Sequence, residues 1–226
     1  FESTTDRYGW NEDADGSWTY GLFFESGRLR DKAKLAIREI ASSISCEFRL
    51  TANQNLVIAR ISSGDKVSID QILSQHEVKL PQELSGLRLN SIACTALPTC
   101  GLALAESERY LPHLIDELDA IIDELGLRNE SIAIRSTGCP NGCARPYMAE
   151  LAFVGDGAKS YQVWLGGSPV LTRTAYPFMA KMDRDKLEET MEPILAMFIQ
   201  QRMEFEAFGD FTHRVGAEAI EKYSAS

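Results

Sequence analysis

Four of the five cysteines in this 226-residue chain fall in two tight pairs, Cys94-x5-Cys100 and Cys139-x3-Cys143. Thiols grouped this closely point to metal binding or thiol catalysis rather than to packing. The first pair sits in Ala-Cys-Thr-Ala-Leu-Pro-Thr-Cys-Gly and the second in Thr-Gly-Cys-Pro-Asn-Gly-Cys-Ala. Pro140, Asn141 and Gly142 are loop formers that can turn both sulfurs toward one point, and their amides can hydrogen-bond a thiolate or a sulfide. Both pairs are expected just before helices, whose free N–H groups favour thiolates. Four thiolates are what an iron–sulfur cluster needs. Zinc is the competing ligand; its knuckles favour C-x2-C to C-x4-C, a pattern that the x5 and x3 spacings together fit poorly. Cys46 has no partner nearby and reads as a small core residue.

Composition limits what else the chain can do. It carries 33 Asp and Glu against 23 Lys and Arg, a formal net charge of −10. Such an acidic surface repels phosphate backbones, and no basic stripe with interleaved aromatics is present, so nucleic-acid binding is not expected. No apolar run approaches the roughly 20 residues of a membrane helix. Five cysteines are too few for a disulfide-dense secreted scaffold, and neither end reads as an export segment, so a reducing, cytoplasmic setting is the expectation. The sequence begins at Phe1 within a polar run and reads as a piece of something longer.

The elements that must position the thiols form two unequal parts. Residues 18–24 read as a strand after the polar lead-in 11–16. Leu29, Ala33, Ala36, Ile37 and Ile40 recur at helical spacing; 47–51 and 56–61 are short β-type runs, and 65–75 is a second helix. The order β-α-β-β-α predicts an α+β unit with helices on one face of a sheet. Residues 79–90, with Pro81 and Gly86, read as a linker. In the second part Leu111, Leu114, Ile115, Leu118, Ile121, Ile122 and Leu125 mark an amphipathic helix, with Pro112 in its first turn and Gly126 as its cap. Strands are expected at 132–135, 150–154 and 161–165, the last two joined by a turn over 155–157. Gly166 and Gly167 allow close approach of something bulky. A last helix spans Leu187 to Ile199, kinked or started at Pro193. His76, His113 and His213 do not cluster and read as exposed or structural. The acidic face Asp116, Glu117, Asp119, Asp123, Glu124 reads as solvated, with docking of a basic partner as the weaker alternative.

At the cysteines a family becomes visible. Cys94-x5-Cys100, followed after 38 residues by Cys139-Pro-Asn-Gly-Cys143, resembles the metallocentre of the sirohaem sulfite and nitrite reductases. The likeness extends to Ile92 through Pro112, to Phe48-Arg-Leu-Thr-Ala-Asn-Gln-Asn55, to Leu165-Gly-Gly167 and to Phe208-Gly-Asp-Phe-Thr-His-Arg214. It is nearest to the haemoproteins of NADPH-dependent assimilatory sulfite reductase, fungal type, and covers nearly the whole chain. In that family two pseudo-symmetric halves each hold a ferredoxin-like half-domain and a larger α/β domain. The resemblance implies that this chain is the C-terminal half, with a ferredoxin-like half-domain at 1–82 and a sirohaem and 4Fe–4S domain at 83–226.

By the same resemblance Cys94, Cys100, Cys139 and Cys143 would hold a 4Fe–4S cluster, and the Cys143 sulfur would also be the axial ligand of the sirohaem iron. That would be the apparatus for six-electron reduction of sulfite to sulfide in cysteine and methionine synthesis, fed by an NADPH-oxidising flavoprotein partner. Nitrite reductase is the alternative within the class, and a zinc-stabilised interaction domain the alternative outside it. The segment from Arg49 to Asn55 resembles one that faces sirohaem. Asn53 and Gln54 are plausible partners for a macrocycle carboxylate or a water, and Arg49 for a carboxylate. A polar turn without a ligand is the plainer reading of the asparagines. Asn141 is expected to shape its loop by hydrogen bonding. Sirohaem and sulfite are anionic and demand clustered Arg and Lys, which this chain lacks. In the family those cations come mainly from the other half, so the fragment is expected to be inactive alone, and cofactor retention by it is left open.

Overall fold

The computed structural model describes residues 5–170 and 172–225. Two compact units divide between Leu84 and Ser85, and each has its own apolar core. The architecture is α+β, as the sequence predicts.

The first unit, Thr5–Leu84, contains β1 (Gly9–Glu12), β2 (Trp18–Leu22), α1 (Asp31–Ser43), β3 (Glu47–Leu50), β4 (Leu56–Ile61) and α2 (Lys66–Gln75). Its sheet has the order β1-β2-β4-β3, antiparallel throughout. Tyr20, Leu22, Ile58 and Ile61 pack against Ala36 and Ile40 of α1 and Ile69 and Leu73 of α2. Ile58 and Ile61 are both fully buried although three residues apart, which a plain strand alternation would put on opposite faces. A bulge resolves this: Ile61 pairs with Trp18 and Ile58 with Tyr20, and Arg60 takes the extra place with φ +58°.

The polar lead-in 11–16 supplies the second half of β1 and the turn after it. Only Trp10 marks that strand as apolar, and its ring packs edge-on at 4.7 Å from Tyr20. The turn closes through Asp13, whose carboxylate accepts from the Thr19 hydroxyl at 2.5 Å. Cys46 is half-buried against the sheet core, as expected, and burial raises its thiol pKa.

The second unit, from Ser85 onward, runs α3 (Gly86–Leu89), β5 (Ser91–Ala93), α4 (Leu111–Glu124), β6 (Ile134–Thr137), β7 (Leu151–Gly157), β8 (Ser160–Leu165), β9 (Tyr176–Asp183), α5 (Leu187–Gln201), α6 (Phe208–Val215) and α7 (Ala217–Ser224). The mixed sheet has the order β5-β6-β7-β8-β9, with β5, β6 and β7 parallel and the remaining pairs antiparallel. The buried stripe of α4 packs with Met191, Ile194 and Phe198 of α5 and with Phe208 and Phe211 of α6. Helix α5 passes through Pro193 unbroken, and it is not the last: α6 and α7 follow, too short for their periodicity to stand out. Gly155 and Gly157 form a bulge within the β7–β8 hairpin rather than its turn. Part of the acidic face of α4 is neutralised internally. Arg88 bonds Asp116 at 2.6 Å and Asp119 at 3.4 Å, and Arg128 bonds Asp123 at 2.7 Å.

Glu150, 1% exposed, ties three segments together. Its carboxylate accepts from the Ala133 amide at 2.8 Å and from the Gly209 amide at 2.9 Å. A Cβ on Gly209 would lie 1.9 Å from the Gly167 carbonyl, so the Leu165-Gly-Gly167 and Phe208-Gly-Asp segments meet here with no room for a side chain. What approaches Gly167 is the chain itself, at the Ala149 carbonyl. Burial pushes the Glu150 carboxyl from 4.5 up to about 7. The folded state therefore holds this proton more tightly than the unfolded one. Its contribution is complete below the unfolded value of 4.5 and is lost as pH rises through about 7. We predict that unfolding free energy falls by on the order of 3 kcal/mol between pH 4.5 and 8 from this group. In Glu150→Gln the protein should be weaker at every pH but with a flatter profile. Denaturant titrations at several pH values test this, and an unchanged profile in the variant would refute it.

Candidate metal centre

The two cysteine loops leave the ends of adjacent parallel strands. Past β5, the Cys94 amide donates to the Ser136 carbonyl at 3.1 Å, continuing the β5–β6 ladder. The loop that follows is folded back on itself by Cys100 N–H to Ala96 O at 2.7 Å and Glu108 N–H to Cys94 O at 3.0 Å. It is also anchored to β6 by the buried Ser107 hydroxyl, which donates to the Ser136 carbonyl at 2.7 Å.

Gly138, between β6 and Cys139, is the junction of the two loops. Its amide donates to the Cys94 sulfur at 3.3 Å. Its carbonyl accepts from the amides of Leu104 at 2.7 Å and Ala105 at 2.9 Å. A Cβ here would lie 2.5 Å from the Ala96 Cβ and 2.7 Å from the Ala105 carbonyl. Gly155 of β7 closes the other side, its own absent Cβ falling 2.5 Å from the Gly138 carbonyl. Four small residues thus let backbone pack on backbone where two thiol-bearing segments must meet.

Beyond Gly138 the Cys139-to-Cys143 turn is closed by other groups than Asn141, which is exposed. Arg145 N–H donates to Gly142 O at 2.8 Å, and the Tyr147 hydroxyl donates to Pro140 O at 2.7 Å. Gly142 has φ +69°, and a Cβ there would lie 2.9 Å from the Tyr147 ring, itself packed edge-on against Trp164. All four thiols are free of disulfides: Cys139 is buried, Cys94 and Cys100 are half-buried, and Cys143 is exposed. The expected helix N-termini are not adjacent to them. Ten residues lie between Cys100 and Leu111, the first of α4, and Cys143 is followed by a single 3-10 turn, Pro146–Met148, before β7. Local amides, Gly138 foremost, take the place of a helix end. Among the described residues, no three His, Cys, Asp or Glu side chains converge to hold one metal ion.

In the first unit the segment from Arg49 to Asn55 joins β3 to β4. Arg49, on exposed β3, pairs with Glu47 at 2.7 Å. Asn55 is 4% exposed; its side-chain oxygen accepts from the Phe24 amide at 2.9 Å. Its amide nitrogen donates to Asp6 at 2.8 Å and Asn53 donates to Asp6 at 3.1 Å, so both asparagines have structural partners. Gln54 between them is exposed, with φ +67°. Gly27 accommodates it, since a Cβ on Gly27 would lie 2.9 Å from the Gln54 Cβ. His76 pairs with Glu39 at 2.7 Å, and His113 and His213 are exposed. Sequence reasoning missed Gly138 and Asp6. The one was legible only as a small residue beside a cysteine, and the other was hidden in a polar N-terminal run.

Fold and loops together describe an α+β chain with four free thiols at a candidate metal centre. Residues 11–76 match the nitrite/sulfite reductase ferredoxin-like half domain. The chain is 47% identical over 220 residues to the NADPH sulfite reductase hemoprotein beta-component of Staphylococcus saprophyticus, covering 96% of this chain and 38% of that protein. It is 44% identical over 225 residues to the ferredoxin sulfite reductase of Synechococcus elongatus, covering 98% of this chain and 36% of that one. The solved Mycobacterium tuberculosis NirA protein shares the fold, with a TM-score of 0.83 at 24% identity over 97% of this chain and 42% of NirA. The chain is thus a homologue of the sulfite reductase haemoproteins, and it spans well under half the length of the curated relatives it matches.

If Gly138 is the junction, Gly138→Ala should destabilise the second unit by about 2–3 kcal/mol through overpacking against backbone. An unfolding midpoint equal to that of the unsubstituted chain would show that the loops are not held there.

Proposed function

We propose that the chain is the C-terminal metallocentre part of an assimilatory sulfite reductase haemoprotein of the fungal type its sequence resembles. In this reading Cys94, Cys100, Cys139 and Cys143 hold a 4Fe–4S cluster, and the exposed Cys143 sulfur also meets the sirohaem iron. The observation that carries the reading is the burial gradient on the pinned loops, from buried Cys139 to exposed Cys143. Three sulfurs are withdrawn into the unit or half so, and one is presented outward. The donor set suits the group: four free thiols, one of which already accepts an N–H bond, from Gly138. When bound, such a cluster supplies single electrons to a substrate-binding iron.

The chain's own residues then have distinct work. The Gly138 amide offsets negative charge at Cys94, as amide-to-sulfur bonds do in clusters of this kind. Tyr147 and Gly142 fix the turn that carries Cys143. Gln54, exposed on its turn, would meet a macrocycle carboxylate or a water, and Arg49 would exchange its Glu47 partner for a carboxylate of the macrocycle. A four-coordinate structural zinc is the alternative reading, and the x5 and x3 spacings of the two pairs together fit its usual C-x2-C to C-x4-C knuckles poorly. Nitrite reduction uses the same apparatus; the sequence likeness around Cys94 and in the tail favours sulfite.

Exposed apolar surface supports the view that the catalytic unit is completed by chain outside these residues. Leu50 on edge strand β3 is 87% exposed, and Leu102 beside Cys100 is 71% exposed. Edges and patches of this kind are normally covered. The electron donor of the complete enzyme would be an NADPH-oxidising flavoprotein.

Two outcomes follow. The isolated chain should release no sulfide from sulfite with reduced methyl viologen; sulfide production above the protein-free blank would overturn the incompleteness. In the full-length enzyme Cys143→Ser should abolish the electronic coupling of the two centres and nearly all turnover, with sirohaem absorbance weakened or lost. Normal absorbance with normal turnover would remove Cys143 from the axial position.

A further inference from the structure

The turn that carries Gln54 is organised from a distance in sequence. Asp6 accepts from the Thr51 hydroxyl at 2.8 Å, the Asn53 side-chain amide at 3.1 Å and the Asn55 side-chain amide at 2.8 Å. One carboxylate thus gathers three of the five residues 51–55, across a sequence gap of 45 to 49 positions. Two of the bonds land on Oδ2 and one on Oδ1, so both oxygens are used. Thr51 passes the constraint on: its hydroxyl oxygen accepts from the amides of Asn53 and Asn55, each at 3.2 Å. Tyr8, two residues after Asp6, adds a contact between its hydroxyl and the Asn55 amide nitrogen at 3.1 Å.

The result is a turn whose every other side chain points to one anion, leaving Gln54 outward in a left-handed conformation that a free chain avoids. Hydrogen bonds to a charged acceptor are the stronger class, and a carboxylate is the one side chain that can accept from three donors without offering one.

We propose that Asp6 is a positioning residue: it fixes the 51–55 turn so that Gln54 is presented to the sirohaem. The second clause rests on the function proposed above, while the first concerns this unit alone. Removing the carboxylate leaves Thr51, Asn53 and Asn55 without their common acceptor, so the turn samples other conformations. The sheet and helix core of the unit does not include Asp6.

Hydrogen exchange on the chain itself and visible spectroscopy on the full-length holoenzyme test the two clauses separately. In Asp6→Ala the amides of residues 53–55 should exchange about tenfold faster or more, while those of Ile58 and Ile61 in β4 keep their rates. Asp6→Asn, the same shape with one acceptor turned into a donor, should fall between. In the holoenzyme Asp6→Ala and Gln54→Ala should shift the sirohaem Soret band in the same direction. Unchanged exchange at 53–55 in Asp6→Ala would overturn the proposal. Faster exchange at 53–55 with no Soret shift in either variant would keep Asp6 as the organiser of the turn and reject the presentation of Gln54 to sirohaem. A Soret shift in Gln54→Ala alone would keep the functional reading and reject Asp6 as the positioner.

Discussion

The structure of the candidate metal centre depends on one close approach, the packing of the Gly138 backbone between Ala96, Ala105 and Gly155. Two loops leave neighbouring parallel strands, and parallel strands put the ends of both on the same edge of the sheet. That brings Cys94 and Cys139 near each other without fixing either. The fixing comes from three hydrogen bonds at a single glycine, one of them to sulfur. Any side chain at 138 would meet backbone within 2.7 Å, and backbone cannot move aside as a flexible side chain can. The rest of the second unit supports this junction. Buried Ser107 holds the first loop to β6, and the apolar stripe of α4 braces the end of that loop.

Charge follows a similar logic of prior commitment. The net charge of −10 is spread over a molecule in which many cations already have carboxylate partners. Arg49 is with Glu47, Arg88 with Asp116, Arg173 with Asp210 at 2.6 Å, and Arg214 with Glu206. Arg135 is buried and donates to the Asn90 carbonyl at 2.6 Å. A ligand carrying several carboxylates would need cations not spent on the fold. Pairs such as Arg49 with Glu47, exposed to water on both sides, contribute little to stability.

Much of this was legible in the sequence, for reasons that differ by residue. The cysteine grouping was plain because four of the five thiols fall in two short stretches of the chain. Strand β4 announced itself as a short β-type apolar run and helix α4 through unbroken periodicity, and Gly126 ends α4 with φ +72° as a cap glycine does. Strand β1 did not, because a four-residue strand with a single large apolar residue has no pattern to read. Strand β9 was missed for the opposite cause: as an edge strand it exposes most positions and carries a proline, so it looks like loop. The polar organisers were the least visible. Asp6 acts on residues 45 or more positions away and Gly138 on a sulfur 44 positions away, and local sequence has no mark for such distances. The bonds of Asn53 and Asn55 serve the turn, and Gln54 is the exposed residue between them.

The central claim is that the two loops pinned at Gly138 hold one four-thiolate iron–sulfur cluster. Acid-labile sulfide in the anaerobically purified full-length polypeptide measures it most directly, because sirohaem and zinc contain none. About four sulfides per polypeptide are predicted for the unsubstituted protein, falling together toward zero in Cys94→Ser and in Cys139→Ser. Sulfide that persists in both variants, or is absent from the unsubstituted protein, would contradict the account.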